Sequence, residues 1–160
     1  MLHHRRRELF PPHPACLKKV AGRYRGRLSL TNEKGIEGVY LMKKYEVVVN
    51  EIGESIAQLL IQDMLVLFDE DAPTDLSGFA VCHSKGSFTE QVAVGDMFYL
   101  GDRSYRITAV GHQVNHILNQ MGHATIKFDG ADLTRLPGYI HVKGDDPVHI
   151  SLGEKIVIAS

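Results

Sequence analysis

The sequence predicts an all-β (mainly β) protein, a single barrel- or sandwich-like domain of about eight short strands with two short helices. Short runs rich in β-branched and aromatic residues recur along the chain, turn residues separate them, and only two segments show helical periodicity. The 160 residues include 15 glycines and 6 prolines, which is typical of a turn-rich β protein. The length suits one domain with a sizeable core.

The predicted strands are apolar or alternating segments bounded by glycine, proline or acidic residues: 43–51, 64–68, 79–82, 97–100, 104–110, 124–128, 139–143 and 155–159. The first has β-branched residues at its centre, and the acidic residues after Phe68 end the second. Segment 104–110 alternates between apolar and polar residues. A turn at 101–104 joins it to 97–100, which predicts a hairpin.

Two helices are predicted between these strands. Ser55 and Gln58 have the spacing of a capping box and begin a helix over about 55–62. Its apolar face would be formed by Ile56, Leu59 and Leu60. The second helix is predicted by an apolar stripe at helical spacing: Val114, Ile117, Leu118 and Met121. Gly122 is placed to end it as the C′ residue.

The charge is unevenly distributed. Residues 1–41 carry nine lysines and arginines against three glutamates, a net charge of +6, and residues 42–160 carry a net charge of −7. The basic arm has no repeat, aromatic interleaving or amphipathic period, so we expect it to be disordered or irregular and to bind no nucleic acid. Codons for residues 37–39 can contain a ribosome-binding sequence. We therefore hypothesise that Met42 is the physiological start and residues 1–41 a non-native leader.

The cysteine content and hydropathy indicate the compartment. Only Cys16 and Cys82 occur, which excludes a disulfide framework and favours a reducing cytoplasm. No apolar run approaches the roughly 18 residues of a membrane span, so we expect a soluble protein.

A histidine follows the apolar segment 79–82. The segment predicts a strand buried on both faces, and His83 lies where it meets turn residues, a lysine and hydroxyls. A rigid strand behind the histidine and an open cationic loop in front suit a nucleophile that meets an anion. The structural alternative is an imidazole that simply hydrogen-bonds to a backbone carbonyl.

Other histidines and the nearby thiol have competing interpretations. His112 and His116 have the spacing of a zinc pair but lack the glutamate of a catalytic site, so a solvated helix face is favoured. His123 either satisfies a carbonyl at the helix end or lies beside His83 and helps hold a phosphoryl group. Cys82 would point away from His83, because adjacent strand residues face opposite sides. No nucleotide-binding motif is present, and no cofactor is expected.

Five segments together resemble one known family, the glucitol/sorbitol-specific IIA component of the bacterial phosphoenolpyruvate-dependent sugar phosphotransferase system. The resemblance spans about residues 43–159. The segments occur in register: 69–76, 79–86, 105–111, 122–130 and 137–142.

The resemblance implies a cytoplasmic phosphoryl carrier, a protein-N(π)-phosphohistidine–sugar phosphotransferase component with a phosphohistidine intermediate. The histidine-containing phosphocarrier protein would phosphorylate His83, with Nε2 as the acceptor. The sorbitol-specific IIB component would then receive the phosphoryl group while the membrane component IIC imports sorbitol. The chain would meet the membrane only indirectly, through this permease.

The residues around His83 supply candidates to stabilise the phosphoryl oxygens: Ser84, Lys85, Gly86, Ser87 and His123. Some family members have a second histidine where this chain has Lys85, whose ammonium can still act as a point charge. The alternative function is a histidine-rich metal- or sugar-binding module without phosphoryl chemistry. A regulator that signals sugar supply through its phosphorylation state is a third hypothesis.

Overall fold

The computed structural model describes the backbone of residues 17–24, 27–32 and 37–160, and side chains from residue 41 onward. The chain divides into two compact units, Met1–Met42 and Lys43–Ser160. In the first, strands β1 (Leu17–Tyr24), β2 (Arg27–Asn32) and β3 (Glu37–Tyr40) form an antiparallel sheet in the order β1-β2-β3. These strands lie in the segment for which the sequence predicts disordered or irregular structure, and the hypothesis that residues 1–41 are a non-native leader stays a prediction. Cys16 and the arginine run at 5–7 lie outside the described residues.

The second unit contains nine strands and three short helices. The strands are β4 (Lys43–Ile52), β5 (Met64–Asp69), β6 (Val81–His83), β7 (Ser87–Phe88), β8 (Met97–Leu100), β9 (Arg103–Val110), β10 (Ala124–Lys127), β11 (Tyr139–Lys143) and β12 (Lys155–Ala159). The helices are α1 (Ile56–Ile61), α2 (Thr74–Ser77) and α3 (Val114–Met121). No helix among the described residues has the length and apolar character needed to cross a lipid bilayer.

Eight of these strands close into a barrel. The order is β12-β8-β9-β11-β10-β5-β6-β4, and the pairing of β12 with β4 completes the ring. Closure leaves these strands without a free edge. Strand β7 pairs with Tyr45 and Glu46 of β4, beyond the stretch of β4 that pairs with β6. The prediction of a mainly β, eight-stranded barrel-like domain is thus confirmed.

Alternation along the strands builds the core. In β9, for example, Tyr105 and Ile107 are buried while the intervening Arg106 is exposed. The largest fully buried apolar side chains come from six of the eight barrel strands and from helix α3: Tyr105, Phe98, Leu65, Leu67, Leu100, Ile107, Leu118, Ile126, Ile140, Ile156 and Ile158. The interior is therefore filled with side chains, as expected for a barrel of this strand number.

The barrel wall also holds a buried ion pair. Lys44 Nζ lies 2.8 Å from Asp96 Oδ2 and donates a second hydrogen bond to the Gln91 carbonyl at 2.9 Å. The same carboxylate oxygen accepts the amide proton of Ala93 at 2.8 Å. Both charged side chains are thus compensated by partners, which buried charges require.

Several predicted elements differ in detail. Phe79 is 52% exposed, and the strand begins at Val81 and includes His83. The reason is a turn: the Phe79 and Ala80 amides donate to the Leu76 and Ser77 carbonyls, so the chain joins the sheet only afterwards. Helix α2 and strand β7 were not predicted. Ser55 precedes α1, but its side chain makes no capping hydrogen bond.

Candidate functional site

The three strands around His83 fix its position. In β6, His83 is paired with Asp69 of the parallel strand β5 and with Val49 of the antiparallel strand β4. The register of β4 shifts beside this pair, between Val49 and Glu51, as in a β-bulge. The His83 side chain is 0% exposed. Strands β4 and β5, one on each side of β6, therefore fix the backbone of His83, and its imidazole is buried.

Both nitrogens of the His83 ring face carbonyl oxygens. Nδ1 lies 2.8 Å from the carbonyl oxygen of Ser84, and Nε2 lies 2.9 Å from that of Gly122. A neutral imidazole has one N–H and can donate to only one of these acceptors. The Tyr45 ring and the imidazole also form a T-shaped contact, with ring centroids 6.0 Å apart and planes at 85°.

Gly122 is the residue that brings helix α3 against His83. It adopts the left-handed conformation at the helix end, with φ 58° and ψ 22°, and its amide donates to the Leu118 carbonyl. The prediction that Gly122 ends this helix is confirmed. A Cβ at this position would lie 2.6 Å from His83 Cε1 and 2.9 Å from Asp69 Cβ. Only glycine allows this close approach without displacing its neighbours.

A half-open cleft of about 200 Å³ lies beside the imidazole. It is lined by Tyr45, Asp69, Lys85, Gly86, Leu118, Asn119, Gln120 and Gly122. Three of these residues also surround His83. Asp69 is its strand partner, the Tyr45 ring packs against its imidazole, and the Gly122 carbonyl oxygen lies next to its Nε2. The cleft therefore lies against residues that surround His83, and its lining includes one acidic and one basic residue, Asp69 and Lys85.

Asp69 is the acidic group of the cleft. It is only 9% exposed, and its Oδ1 accepts the amide proton of Asp71 at 2.9 Å, which holds the carboxyl group in a tight turn. Burial raises the pKa of the Tyr45 hydroxyl, and the negative charge of Asp69 raises it further. Tyr45 is therefore a neutral phenol at physiological pH.

Lys85 is the basic group of the cleft. Its ammonium pairs with the Asp71 carboxylate, and the two side chains are 59% and 70% exposed. The hydrogen bond to Asp71 and its charge raise the pKa of Lys85, so the group stays protonated. An exposed pair of this kind is weak and exchanges readily with other anions.

The other loop candidates are placed differently. The Ser84 amide donates to the Val48 carbonyl at 2.8 Å, and the Ser84 hydroxyl accepts the Val48 amide proton at 3.0 Å. Ser84 thus continues the ladder with β4. Gly86 lines the cleft, where a Cβ would lie 2.4 Å from Val47 Cγ1. Ser87 is exposed and belongs to β7.

His123 does not join the group around His83. Its ring stacks on Phe68 at a centroid distance of 4.1 Å, and its Nδ1 lies 3.0 Å from the Leu67 carbonyl oxygen. Phe68 and Asp69 face opposite sides of β5, and His83 shares the side of Asp69. The expectation that His123 lies beside His83 is therefore corrected, and the alternative that it satisfies a carbonyl describes its contacts.

The remaining candidates lie elsewhere on the barrel. Cys82 is buried with Phe68 on the side of the sheet opposite His83, as predicted. Burial, followed by the charges of Glu51 and Asp69, raises the pKa of its thiol. His112 and His116 are exposed. Within the described part of the chain, no three histidine, cysteine or acidic side chains are grouped closely enough to hold a metal ion.

The sequence alone did not single out Tyr45, Asn119 or Gln120 as cleft residues, and it gave Asp69 no role of its own. Tyr45 and Asp69 lie on different strands, and only the closed barrel brings them to His83. The short strand β6 between two glycines, Gly78 and Gly86, was the available local signal.

Fold and site together define a small closed β-barrel protein in which the buried His83 lies beside a cleft lined by one acidic and one basic residue. Residues 44–157 match the family model for the glucitol/sorbitol-specific IIA component of the phosphotransferase system (PTS). The glucitol/sorbitol-specific EIIA components of Shigella flexneri and Escherichia coli K12 are each 34% identical over 116 residues, 72% of this chain and 94% of the relative.

A solved structure agrees with this match. The crystal structure of a PTS system IIA component from Enterococcus faecalis V583 superposes with a TM-score of 0.60 at 28% identity, covering 69% of this chain and 96% of that one. The chain belongs to the glucitol/sorbitol-specific IIA components of the sugar phosphotransferase system.

Proposed function

We propose that the protein is a phosphoryl carrier that accepts a phosphoryl group on Nε2 of His83. The donor is the histidine-containing phosphocarrier protein, and the acceptor is the sorbitol-specific IIB component, during sorbitol uptake through the membrane component IIC. The protein acts in the cytoplasm and as a transferase component with a phosphohistidine intermediate. The observation that carries the proposal is the position of His83, with Nε2 directed at the Gly122 end of a charged cleft, in a chain of this family.

The contacts of the imidazole favour Nε2 over Nδ1 as the acceptor. Ser84 is tied to Val48 by two hydrogen bonds, so its carbonyl is a fixed partner that keeps the proton on Nδ1. That tautomer puts the lone pair on Nε2, where it can act as the nucleophile once the Gly122 carbonyl has moved away. Gly122 is tied only at a helix end, so its carbonyl is the one that moves aside.

Phosphoryl transfer needs positioning and charge stabilisation more than covalent work by the protein. In the transfer, the P–N bond of the donor phosphohistidine breaks while the P–N bond to His83 Nε2 forms. Among the candidates, Lys85 and the backbone at Gly86 line the cleft and would face the phosphoryl oxygens. Ser84 and Ser87 are secondary candidates, and the stacking of the His123 ring on Phe68 argues against a contact between His123 and the phosphoryl group.

The functional domain in this proposal is residues 42–160, which includes the matched segment 44–157. Residues 1–41 are proposed to be a non-native leader. Mass spectrometry of the protein made from its own promoter tests this: a mass that begins at Met42 is expected, and a mass that includes residues 1–41 contradicts it.

The phosphoryl carrier role is tested with radiolabelled phosphoenolpyruvate, enzyme I and the phosphocarrier protein. The wild type is expected to take up label, His83→Ala to take up none, and His123→Ala, the matched histidine control, to be labelled like the wild type. Addition of the IIB component should then discharge the labelled protein. An unlabelled wild type, or equal labelling of His83→Ala, would overturn the proposal.

A further inference from the structure

Two opposite charges share the cleft beside His83. Asp69 is buried and is the strand partner of His83, with its side chain on the same side of the sheet, whereas the Lys85 ammonium is exposed and paired with the Asp71 carboxylate. Both side chains line the same space of about 200 Å³. A phosphoryl group on His83 would therefore enter a cleft that already holds a fixed negative charge.

We propose that Asp69 raises the free energy of phosphorylated His83 and Lys85 lowers it, so that the pair sets how readily this protein gives up its phosphoryl group. The inference rests on the proposed phosphoryl carrier function. A carrier must release what it accepts, and a phosphohistidine that is too stable would stop transfer to the next protein. Asp69 thus changes the stability of the phosphohistidine at His83 and acts neither as a nucleophile nor as a proton donor.

The physical basis is charge repulsion at short range in a partly desolvated site. A phosphoryl group carries nearly two negative charges at neutral pH, and a nearby buried carboxylate is less screened by solvent than a surface charge. Asp69 cannot turn away from the cleft easily, because its Oδ1 is held by the Asp71 amide and its Cβ lies against Gly122. Lys85 can leave Asp71 and approach the phosphoryl oxygens, since that pair is exposed.

The transfer of the phosphoryl group between the two histidines needs no further reactant. The P–N bond to the phosphocarrier histidine breaks and the P–N bond to His83 forms, and the reverse exchange takes place in the return direction. The equilibrium constant between the two phosphohistidines is therefore the quantity that Asp69 and Lys85 would change.

The variant Asp69→Asn isolates the charge. An asparagine side chain keeps an oxygen in the place of Oδ1 and can still accept the Asp71 amide proton, so the turn is retained. Lys85→Gln removes the opposing charge from an exposed position, where a folding defect is not expected. Asp145→Asn and Lys143→Gln remove the same charges from exposed positions that do not line the cleft.

The test measures the equilibrium distribution of phosphoryl groups between the phosphocarrier protein and each full-length variant, with catalytic enzyme I and limiting phosphoenolpyruvate. Asp69→Asn is expected to shift the equilibrium about tenfold toward this protein, and Lys85→Gln severalfold toward the phosphocarrier. The double variant should lie between them. The shifts should shrink at high salt, and the two surface controls should match the wild type.

Two failures can be told apart. If the wild type accepts no phosphoryl group, the proposed function itself is wrong. If the wild type is phosphorylated but Asp69→Asn and Lys85→Gln have the equilibrium constants of their surface controls, the inference about the charge pair is overturned while the carrier function stands. Should Asp69→Asn fail to fold, the Lys85→Gln comparison alone decides in the same way.

Discussion

The carbonyl oxygen of Gly122 lies 2.9 Å from Nε2 of His83 and covers the nitrogen proposed to accept the phosphoryl group. The imidazole is fully buried, and its other nitrogen faces the Ser84 carbonyl. Phosphorylation at Nε2 therefore requires the C-terminal turn of α3 to move away from the ring. The helix ends at this point in a left-handed residue that follows the exposed Gln120 and Met121, so the moving part is a helix terminus rather than a barrel strand.

Gly122→Ala is expected to reduce both stability and phosphorylation. The added Cβ would lie 2.6 Å from His83 Cε1, and the backbone has a positive φ of 58°. The left-handed conformation alone costs about 1 kcal/mol for a non-glycine residue, and the contact with His83 adds to it. We expect a loss of about 2–3 kcal/mol in urea unfolding and slower labelling of His83.

Gly153→Ala is the matched control for this substitution. Gly153 also has a positive φ, 80°, but a Cβ there would meet no atom within 4 Å. It should lose about 1 kcal/mol and keep wild-type labelling. Equal effects of the two substitutions on labelling would contradict the role assigned to the contact between Gly122 and His83.

Asp96→Ala is expected to destabilise the barrel strongly. Removing this carboxylate leaves the buried Lys44 ammonium with only the Gln91 carbonyl and frees the Ala93 amide. Breaking one side of a buried ion pair typically costs about 3–5 kcal/mol. Urea denaturation measures the loss, with Asp145→Ala at an exposed position as the control. A loss no larger than that of the control would show that the pair does not stabilise the fold.

The Cys82 thiol is expected to be unreactive in the folded protein. Burial and the charges of Glu51 and Asp69 raise its pKa, so little thiolate is present at neutral pH. In a Cys16→Ser background, alkylation of Cys82 should be about a hundredfold or more slower in buffer than in denaturant. Rapid alkylation of the native protein would show that the strand β6 opens freely. Cys82→Ala should still be labelled on His83.

Asp129 should contribute stability that depends on pH. Burial tends to raise its pKa, but the hydrogen bonds from His141 at 2.7 Å and from the Ala131 amide outweigh burial and hold the pKa below its usual range. A lowered carboxyl pKa gives stability that is present above the unfolded value of about 4 and is lost as pH falls through the folded value.

The substitution Asp129→Asn measures this contribution. The side chain is 34% exposed, so screening limits the expected loss at pH 7 to about 0.5–1 kcal/mol. The difference in unfolding free energy between wild type and variant should disappear as the pH falls below 4. A difference that is constant from pH 7 to pH 3 would contradict the pKa argument.

Local periodicity made most of the barrel predictable. Strands β11 and β12 and helix α3 have the bounds that the sequence indicated, because each is a short periodic run with a glycine within two residues of one end. The prediction failed where backbone hydrogen bonds from other segments decided the structure. The Ser55 amide donates to the Gly78 carbonyl, and the side-chain cap of α1 is not formed.

The site was predictable only in part for a related reason. His83 stood out because it ends an apolar run, but Tyr45, Asp69 and Gly122 reach it through strand pairing and helix docking across long stretches of sequence. His123 was misplaced because the face of a residue just before a strand depends on register. That register puts its ring on Phe68.

The phosphoryl group is proposed to be carried by His83, and mass spectrometry of the intact protein and of its peptides can locate it. After incubation with phosphoenolpyruvate, enzyme I and the phosphocarrier protein, we expect one phosphoryl group per chain, located on the peptide that contains His83. A phosphoryl group on any other residue, or none on the wild type, would contradict it.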